Sequence, residues 1–457
     1  MNANAKMRDM TQGSPAKHIF LFSLPLLLGN VLQQLYNMVD SWTVGNFTGD
    51  TALAAVGIAF PVVFLFVSLF IGLGIGSTVV IAQFYGAGET ERVRAAIDTA
   101  YAAFLIIAIP ISLAAFFLTD PILHLLQVEA AAFPEARLYL QIVSLGLVGS
   151  IGYNTNAGIL QGLGNSKTPL MFLSIAMGIN IVLDLLFVAV FRWGVAGVAF
   201  ATIIAQWFSW IFGIFYINRM YSEFHLHLRG LRIDRNLLRQ IVRIGLPAGI
   251  QNGLIAAAIM ALMARVNLYG TDFTAGFNVG NKVDCFAFLP VQSLSNALTT
   301  YTGQNIGAGN QHRVKEGLKA SVIMSVVCCL VVGMLLYPTS AFMMRMFSQN
   351  PEVIDAGVAY LHGVLPFYFL LALSFMFNSV LRGAGDMLVP MISSFISLWL
   401  ARLPAAYLLA YLFEKESIYY SYAIGWALGV IISGLYYATG KWKNKSIVAR
   451  TQKEELA

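Results

Sequence analysis

The sequence predicts an all-α integral membrane protein, with twelve transmembrane helices forming two six-helix bundles related by a pseudo-twofold axis along the membrane normal. Three observations predict it. Of 457 residues, 58% are hydrophobic and 11% charged, against roughly 25% charged in soluble domains, and mean hydropathy is +0.72. Apolar stretches of about 20 residues, each able to cross a hydrocarbon core about 30 Å thick, recur along the whole chain. The chain also resembles itself at an offset near 221 residues.

The twelve spans are expected to begin near Lys17, Ala52, Arg94, Leu138, Thr168, Val195, Gln240, Ala275, Lys315, Ala356, Leu388 and Ile418. The first follows a polar leader, MNANAKMRDMTQGSPAKH, and is too long for a cleavable signal, so it reads as a signal anchor. GAGE separates the second and third spans, and LGNSKTP the fourth and fifth. A basic, polar connector follows the sixth. GAGN and GAGDMLVP then repeat the turns of the first half. The organisation expected is a tail over 1–16, an N-terminal lobe over 17–218, a linker over 219–239, a C-terminal lobe over 240–442 and a tail over 443–457.

Charge orients the chain, because Lys and Arg concentrate in cytoplasmic loops. With the N-terminus inside, that side collects Lys6, Arg8, Lys17, Arg92, Arg94, Lys167, Arg219, Arg229, Arg232, Arg235, Arg239 and Arg243. It also collects Arg313, Lys315, Lys319, Arg382, Lys441, Lys443, Lys445, Arg450 and Lys453, whereas the outer loops hold Arg137, Arg192, Arg345 and Lys415. Both termini are therefore expected in the cytoplasm of a cell-membrane protein. The net charge of +6 and pI near 9.1 reflect topology and an anionic inner leaflet, with no need for a nucleic-acid partner. Cys285, Cys328 and Cys329 all fall in spans without metal-ligand spacing and read as packing residues.

At the 221-residue offset QFYGAGE falls on QNIGAGN and LQGLGNSKTPL on LRGAGDMLVPM, while SLP at Ser23 meets GLP at Gly245 one residue out of step. Six spans per copy put both copies into the membrane from the same side, the parallel-repeat arrangement of some secondary transporters. GAGE and GAGN lack the Lys-Ser/Thr ending of a phosphate loop and read as helix C-caps.

Of the 22 carboxylates, three are embedded in spans: Asp40, Asp184 and Asp284. None has an acidic counterpart at the repeat offset, so a symmetric scaffold carries asymmetric chemistry. A membrane-embedded carboxylate costs roughly 2.5–3.5 kcal/mol on insertion scales and marks a cavity or pathway. Asn180 and Asp184 lie on one helical face. Gln33, Asn37 and Asp40 follow i, i+4, i+7, with Tyr36 one turn before Asp40. At about 1.5 Å per residue, Asp184 lies about 24 Å from the cytoplasmic start of its helix and Thr202 about 13 Å from the outer end of its own, so both reach the outer half of the membrane. The C-terminal half offers Gln251, Asn252, Asn378 and Asp284 as cavity residues, and Asp284 can equally pair with Arg402 or Arg265. Pro25 gives the first helix a place to bend.

Twelve spans in two repeats, Pro25 within SLPLLLGNVLQQLYNMVDSWTVG, the GAGE/GAGN pair and LQGLGNSKTP/LRGAGDMLVP together resemble the multidrug and toxic compound extrusion family, over about Lys17 to Trp442. The resemblance implies a secondary antiporter that expels organic, often cationic compounds in exchange for protons or sodium ions, with no cofactor beyond that counter-ion. Likeness to the DinF-type branch implies a cation site at Asp40, Asn154, Asn180, Asp184 and Thr202, with sodium possible at Asp40, Asn180, Asp184 and Thr202. The NorM-type branch has a glutamate on the seventh helix, where GLPAGIQNGLIAAAIM has only Gln251 and Asn252 nearby. Small organic cations and membrane lipids are the expected partners of a monomeric transporter that is not an enzyme. Two alternatives stand beside this reading: a lipid-linked precursor flippase of the same superfamily, and an intramembrane hydrolase using Asp40 and Asp184.

Overall fold

A computed structural model describes residues 7–48, 50–126, 128–130, 132–221, 223–224, 226 and 231–455, and no strand occurs among them. Lys6 and Arg229, counted above toward the charge bias, lie outside the described residues. The first six long helical segments are α1 (Pro15–Phe47), α2 (Asp50–Gly86), α3 (Thr90–Phe117), α4 (Phe133–Gly162), α5 (Lys167–Asp184, continued by Leu185–Val190) and α6 (Val195–Met220). The second six are α7 (Arg235–Val266), α8 (Thr271–Gly307), α9 (Gln311–Arg345), α10 (Pro351–Gly383), α11 (Leu388–Leu412) and α12 (Lys415–Ala438).

Ten of the described helices are long and apolar enough to cross a membrane. α4 and α8 are also long enough, at about 1.5 Å per residue, but more polar. Their placement explains it: α4 packs against α2, α3 and α6, and α8 against α9 and α10, so their faces meet protein. Small residues permit the approach. A Cβ at Gly149 would stand 2.9 Å from the Trp207 backbone nitrogen, and one at Gly280 would stand 2.7 Å from Tyr360.

The repeated motifs form repeated turns. Gly88 and Gly309 both have φ of +74°, and Gly164 and Gly385 have +78° and +88°. After each of these glycines the next backbone N–H reaches back five residues: Glu89 to Phe84, Asn310 to Asn305, Asn165 to Leu160 and Asp386 to Leu381. This is the Schellman pattern, which satisfies the terminal carbonyls and favours glycine at the left-handed position. The starts of α5 and α7 are capped from side chains. The Asn165 carboxamide oxygen accepts the N–H groups of Lys167 and Thr168, both at 3.0 Å, and the Asp234 carboxylate accepts those of Asn236 and Leu237 at 2.8 and 3.1 Å.

Helical hydrogen bonding widens to π geometry in α5 at Leu185–Val190 and in α11 at Ile396–Arg402. These are the fifth spans of the two repeats. Such local insertions concentrate at functional positions.

Two compact units emerge. One comprises Met1–Asp9 and Leu28–Gly249, the other Met10–Leu27 and Ile250–Ala457. The division falls inside α1 and α7, in each case two residues after the repeat-related prolines Pro25 and Pro247. Within the first unit, α7 runs so close to α2 that a Cβ at Gly72 would strike the Gly245 carbonyl oxygen and the Gly249 nitrogen. Within the second unit Met10 is buried. Its N–H donates to Gln304 at 2.9 Å, and its carbonyl accepts from Asn305 at 3.2 Å and Arg313 at 3.1 Å. Cys329 is buried against the Tyr368 carbonyl and Cys285 is half-buried, both as free thiols.

Candidate functional site

Asn180 and Asp184 are fully buried on one face of α5, where the outward side chains are apolar. The α-helical register ends at Asp184 and the π-helical segment begins with the next residue. The Asn180 amide nitrogen faces two carboxylates, donating to Asp184 Oδ2 at 2.9 Å and to Asp40 Oδ1 at 3.0 Å; its orientation is assigned from these partners. Asp184 Oδ1 is buried without a hydrogen-bond partner. Two carboxylates thus share one neutral donor, and an arriving proton or metal ion would relieve their repulsion.

Asp40 is half-buried and opens onto a cavity of about 530 Å³. The walls come from α1, α2, α4 and α6 and include Tyr36, Asn37, Tyr139, Ser150, Thr202 and Gln206. The Tyr36 hydroxyl donates to Thr202 Oγ1 at 3.3 Å, joining α1 to α6 beside Asp40. Asp184 is sealed from solvent, so Asp40 is the member of the pair that meets the cavity.

Of the residues expected at the cation site, Asp40, Asn180 and Asp184 are directly bonded, and Thr202 lines the same cavity. Asn154 is placed differently: its amide donates to the Ser150 carbonyl one turn back at 2.9 Å, and no bond to either aspartate occurs among the described residues. On α1, Gln34 lines the cavity beside Tyr36 and Asn37, while Gln33 is not among its lining residues.

The C-terminal polar residues are largely engaged between helices. The Gln251 amide donates to the Pro390 carbonyl at 3.2 Å and the Ser394 hydroxyl at 2.5 Å, tying α7 to α11. Asn378 accepts from Ser433 at 2.7 Å, tying α10 to α12. Asn252 is half-buried on α7. Asp284 accepts from the Tyr360 hydroxyl at 2.8 Å. It forms no ion pair with Arg402 or Arg265 among the described residues.

Several features lie outside the sequence reading, Gln34 and Ser150 of the cavity wall among them. Tyr139 and Gln206 line the cavity; Gln206 is four residues beyond Thr202, a helical spacing that could have found it. Asp386 is also buried, at the turn after Gly385, accepting from Tyr436 at 2.6 Å with Lys445 at 3.7 Å.

No group of three or more His, Cys, Asp or Glu side chains that could hold a metal ion occurs among the described residues. A hard monovalent cation would therefore draw on the Asp40 and Asp184 carboxylates plus neutral oxygens. The donor set fits once the Asn180 amide turns its oxygen inward.

The MatE family profile matches residues 25–186 and 247–408, one match in each repeat. The chain is 32% identical over 438 residues to the probable multidrug resistance protein YpnP of Bacillus subtilis, covering 96% of this chain and 98% of that one. It is 28% identical over 456 residues to the probable multidrug resistance protein NorM of Thermotoga maritima, covering 96% of each. Among solved structures, a MATE family transporter of the MOP superfamily in an outward-facing conformation aligns with a TM-score of 0.88 at 22% identity, covering 94% and 96% of the two chains. A MATE structure in a bent conformation aligns with a TM-score of 0.88, also at 22% identity, over 98% of each chain. That likeness is one of fold, while the profile match and the YpnP identity establish descent. The chain is a multi-pass membrane transporter, not an enzyme, and belongs to the multidrug and toxic compound extrusion (MatE) family.

Proposed function

We propose that this transporter is a secondary active antiporter that exports organic, cationic amphipathic compounds across the cell membrane in exchange for protons. The observation that carries the reading is the Asn180 amide held between Asp184 and Asp40, with Asp40 open to a cavity large enough for a small organic molecule. Carboxylates attract an organic cation, and aromatic walls such as Tyr36 and Tyr139 suit a cationic amphipath. Protonating one carboxylate removes much of that attraction, more so in a desolvated cavity than in water. The relatives' names, multidrug resistance proteins in Bacillus subtilis and Thermotoga maritima, agree with organic substrates.

In this reading Asp40 and Asp184 exchange the counter-ion, Asn180 bridges them, and Thr202 and Asn154 supply further polar groups. Tyr36 and Asn37, on the cavity wall, are the substrate contacts of the N-terminal half, and Gln33, Gln251, Asn252, Asp284 and Asn378 are the further candidates for substrate contact. The N-terminal lobe spans 17–218 and the C-terminal lobe 240–442, with both termini cytoplasmic as the positive-inside bias directs. The protein works as a monomer.

Sodium is the second reading, and the Asn180 amide favours it in one respect: with its oxygen inward, the same three side chains present only oxygens to a hard cation. Efflux of tetraphenylphosphonium from proteoliposomes, under an imposed proton gradient with and without sodium, tests both. Proton-driven efflux independent of sodium supports the first reading. Efflux that tracks a sodium gradient and ignores a proton gradient replaces it with the second, and no gradient-driven efflux overturns both.

A further inference from the structure

A second charge cluster lies in the C-terminal unit, where α8, α10, α11 and α12 bring half-buried Asp284 and Arg402 together with the buried Tyr360 and Tyr422. The Tyr360 hydroxyl donates to Asp284 Oδ2 at 2.8 Å, while Asp284 Oδ1 is buried without a partner. The guanidinium carbon of Arg402 sits 3.3 Å from the Tyr422 ring centroid, and its Nε is also buried without a partner. The Tyr360 and Tyr422 rings meet edge to face at 5.8 Å, forming one wall shared by the acid and the base. The opposite charges occupy one cluster, yet among the described residues no ion pair joins them.

That arrangement suits only one charge state. An ionised carboxylate with an oxygen out of reach of water needs several donors or a paired cation, and among the described residues Asp284 has one donor, with Oδ1 buried and unpartnered. A guanidinium beside an ionised carboxylate in low dielectric would turn toward it, whereas here it rests on a ring face. Both observations fit a neutral Asp284. Arg402 also closes the π-helical segment Ile396–Arg402 and stands two residues before Pro404, where the widened turn gives the backbone room to shift.

We infer that Asp284 and Arg402 form a second proton-exchange site, with the proton on Asp284 while Arg402 rests on Tyr422, and with the guanidinium closing onto the carboxylate when that proton leaves. The O–H bond that breaks is the one on Asp284, its proton goes to solution, and Arg402 balances the charge left behind. The titratable groups around Asp284 are these, with Cys328 and Cys329 on the packed helix α9. Lys282 on the same helix is exposed and two residues away, Cys285 adjoins, and Tyr360, Arg402 and Tyr422 come from the three facing helices. Tyr419 packs behind Tyr360, and Arg265 of α7 lies between the Tyr269 and Tyr407 rings.

A role for this site in transport rests on the antiport reading; the proton exchange does not. Infrared difference spectra of the purified full-length protein between acid and alkaline pH test it without any gradient. The wild type is expected to show the carbonyl band of a protonated carboxylic acid that Asp284→Asn removes and Asp184→Asn leaves. With Arg402→Gln the same band should persist to pH values about 1–3 units higher, because the ionised form loses its cation. Should Asp284→Asn fail to fold, Tyr360→Phe serves instead: it removes the one donor to the carboxylate, and the band should again persist to higher pH. A spectrum of Asp284→Asn superimposable on the wild type, or an Arg402→Gln band that disappears at the wild-type pH, overturns the inference. If tetraphenylphosphonium efflux runs on a proton gradient while the band is missing, this inference fails alone. If the band is present and no gradient drives efflux, the antiport reading fails and the proton site stands.

Discussion

Asp184 gains its chemistry from being sealed, with one oxygen unpartnered and the other bonded to an amide that also serves Asp40. Replacing it by asparagine removes the charge and keeps the shape, so Asp184→Asn should fold normally and lose gradient-driven efflux down to the passive leak. Wild-type efflux from the purified variant would refute this. The same pair sets the pH dependence of binding. A proton on either carboxylate weakens attraction for a permanently charged ligand, so tetraphenylphosphonium affinity should fall as pH is lowered through the titration of the pair. Asp184→Asn should flatten that curve. By linkage the ligand must weaken proton binding by the same factor, so ligand binding should release protons. Asn180→Leu acts differently, because it deletes the shared donor and leaves two carboxylates facing each other. It should destabilise the protein by about 1–3 kcal/mol, the cost of orphaned buried polar groups, read as a lowered melting temperature in detergent.

At the level of elements, the four Schellman turns offer a controlled comparison because the repeat copies their backbone while changing their surroundings. At Gly88 (φ +74°) nothing lies within 4 Å of an added Cβ, whereas at Gly164 (φ +78°) that Cβ would meet the Arg8 carbonyl oxygen. Gly88→Ala should therefore cost only the left-handed strain of about 1–2 kcal/mol, and Gly164→Ala clearly more, with thermal melting as the measure. Gly72 is a harsher case. The groups an added Cβ would strike are backbone atoms of Gly245 and Gly249, which cannot rotate away. Gly72→Val should push α7 off α2, and cysteine cross-linking between those helices should lose efficiency relative to the wild type.

On the scale of the whole molecule, the first helix of each repeat is divided between the compact units: Met10–Leu27 belongs with the second, and Leu28–Gly249, which includes the start of α7, with the first. A chain cut within 227–230 should therefore yield two fragments that do not fold when expressed separately but recover a folded, transport-competent protein when expressed together. Recovery of a folded fragment from either half alone would contradict the unit assignment. The same division places Pro25 and Pro247 at the crossing points, where a missing backbone N–H weakens the helical ladder. That position suits them to bending better than their sequence context alone suggested.

The amino-acid sequence by itself determined the solvent, the spans, the repeat and the turns, because each rests on local or periodic chemistry. Lipid excludes all but internally bonded backbone, and a glycine two or three residues before the next helix determines how the last one ends. It also marked Asp184, since a carboxylate between NIVL and LLFVAVF is out of place whatever surrounds it. Helical periodicity put Asn180 on the same face as Asp184 but could not say which distant helix that face meets. Only the tertiary structure joined Asp40 of α1 to the pair through Asn180, turned Asn154 back onto its own helix, and committed Gln251 and Asn378 to holding helices together. The separation of Asp284 from Arg402 was decided the same way. Whether an acid and a base on different helices pair depends on angles and rotamers within a few ångströms, and the competing partners here are two tyrosine side chains that pattern alone does not place.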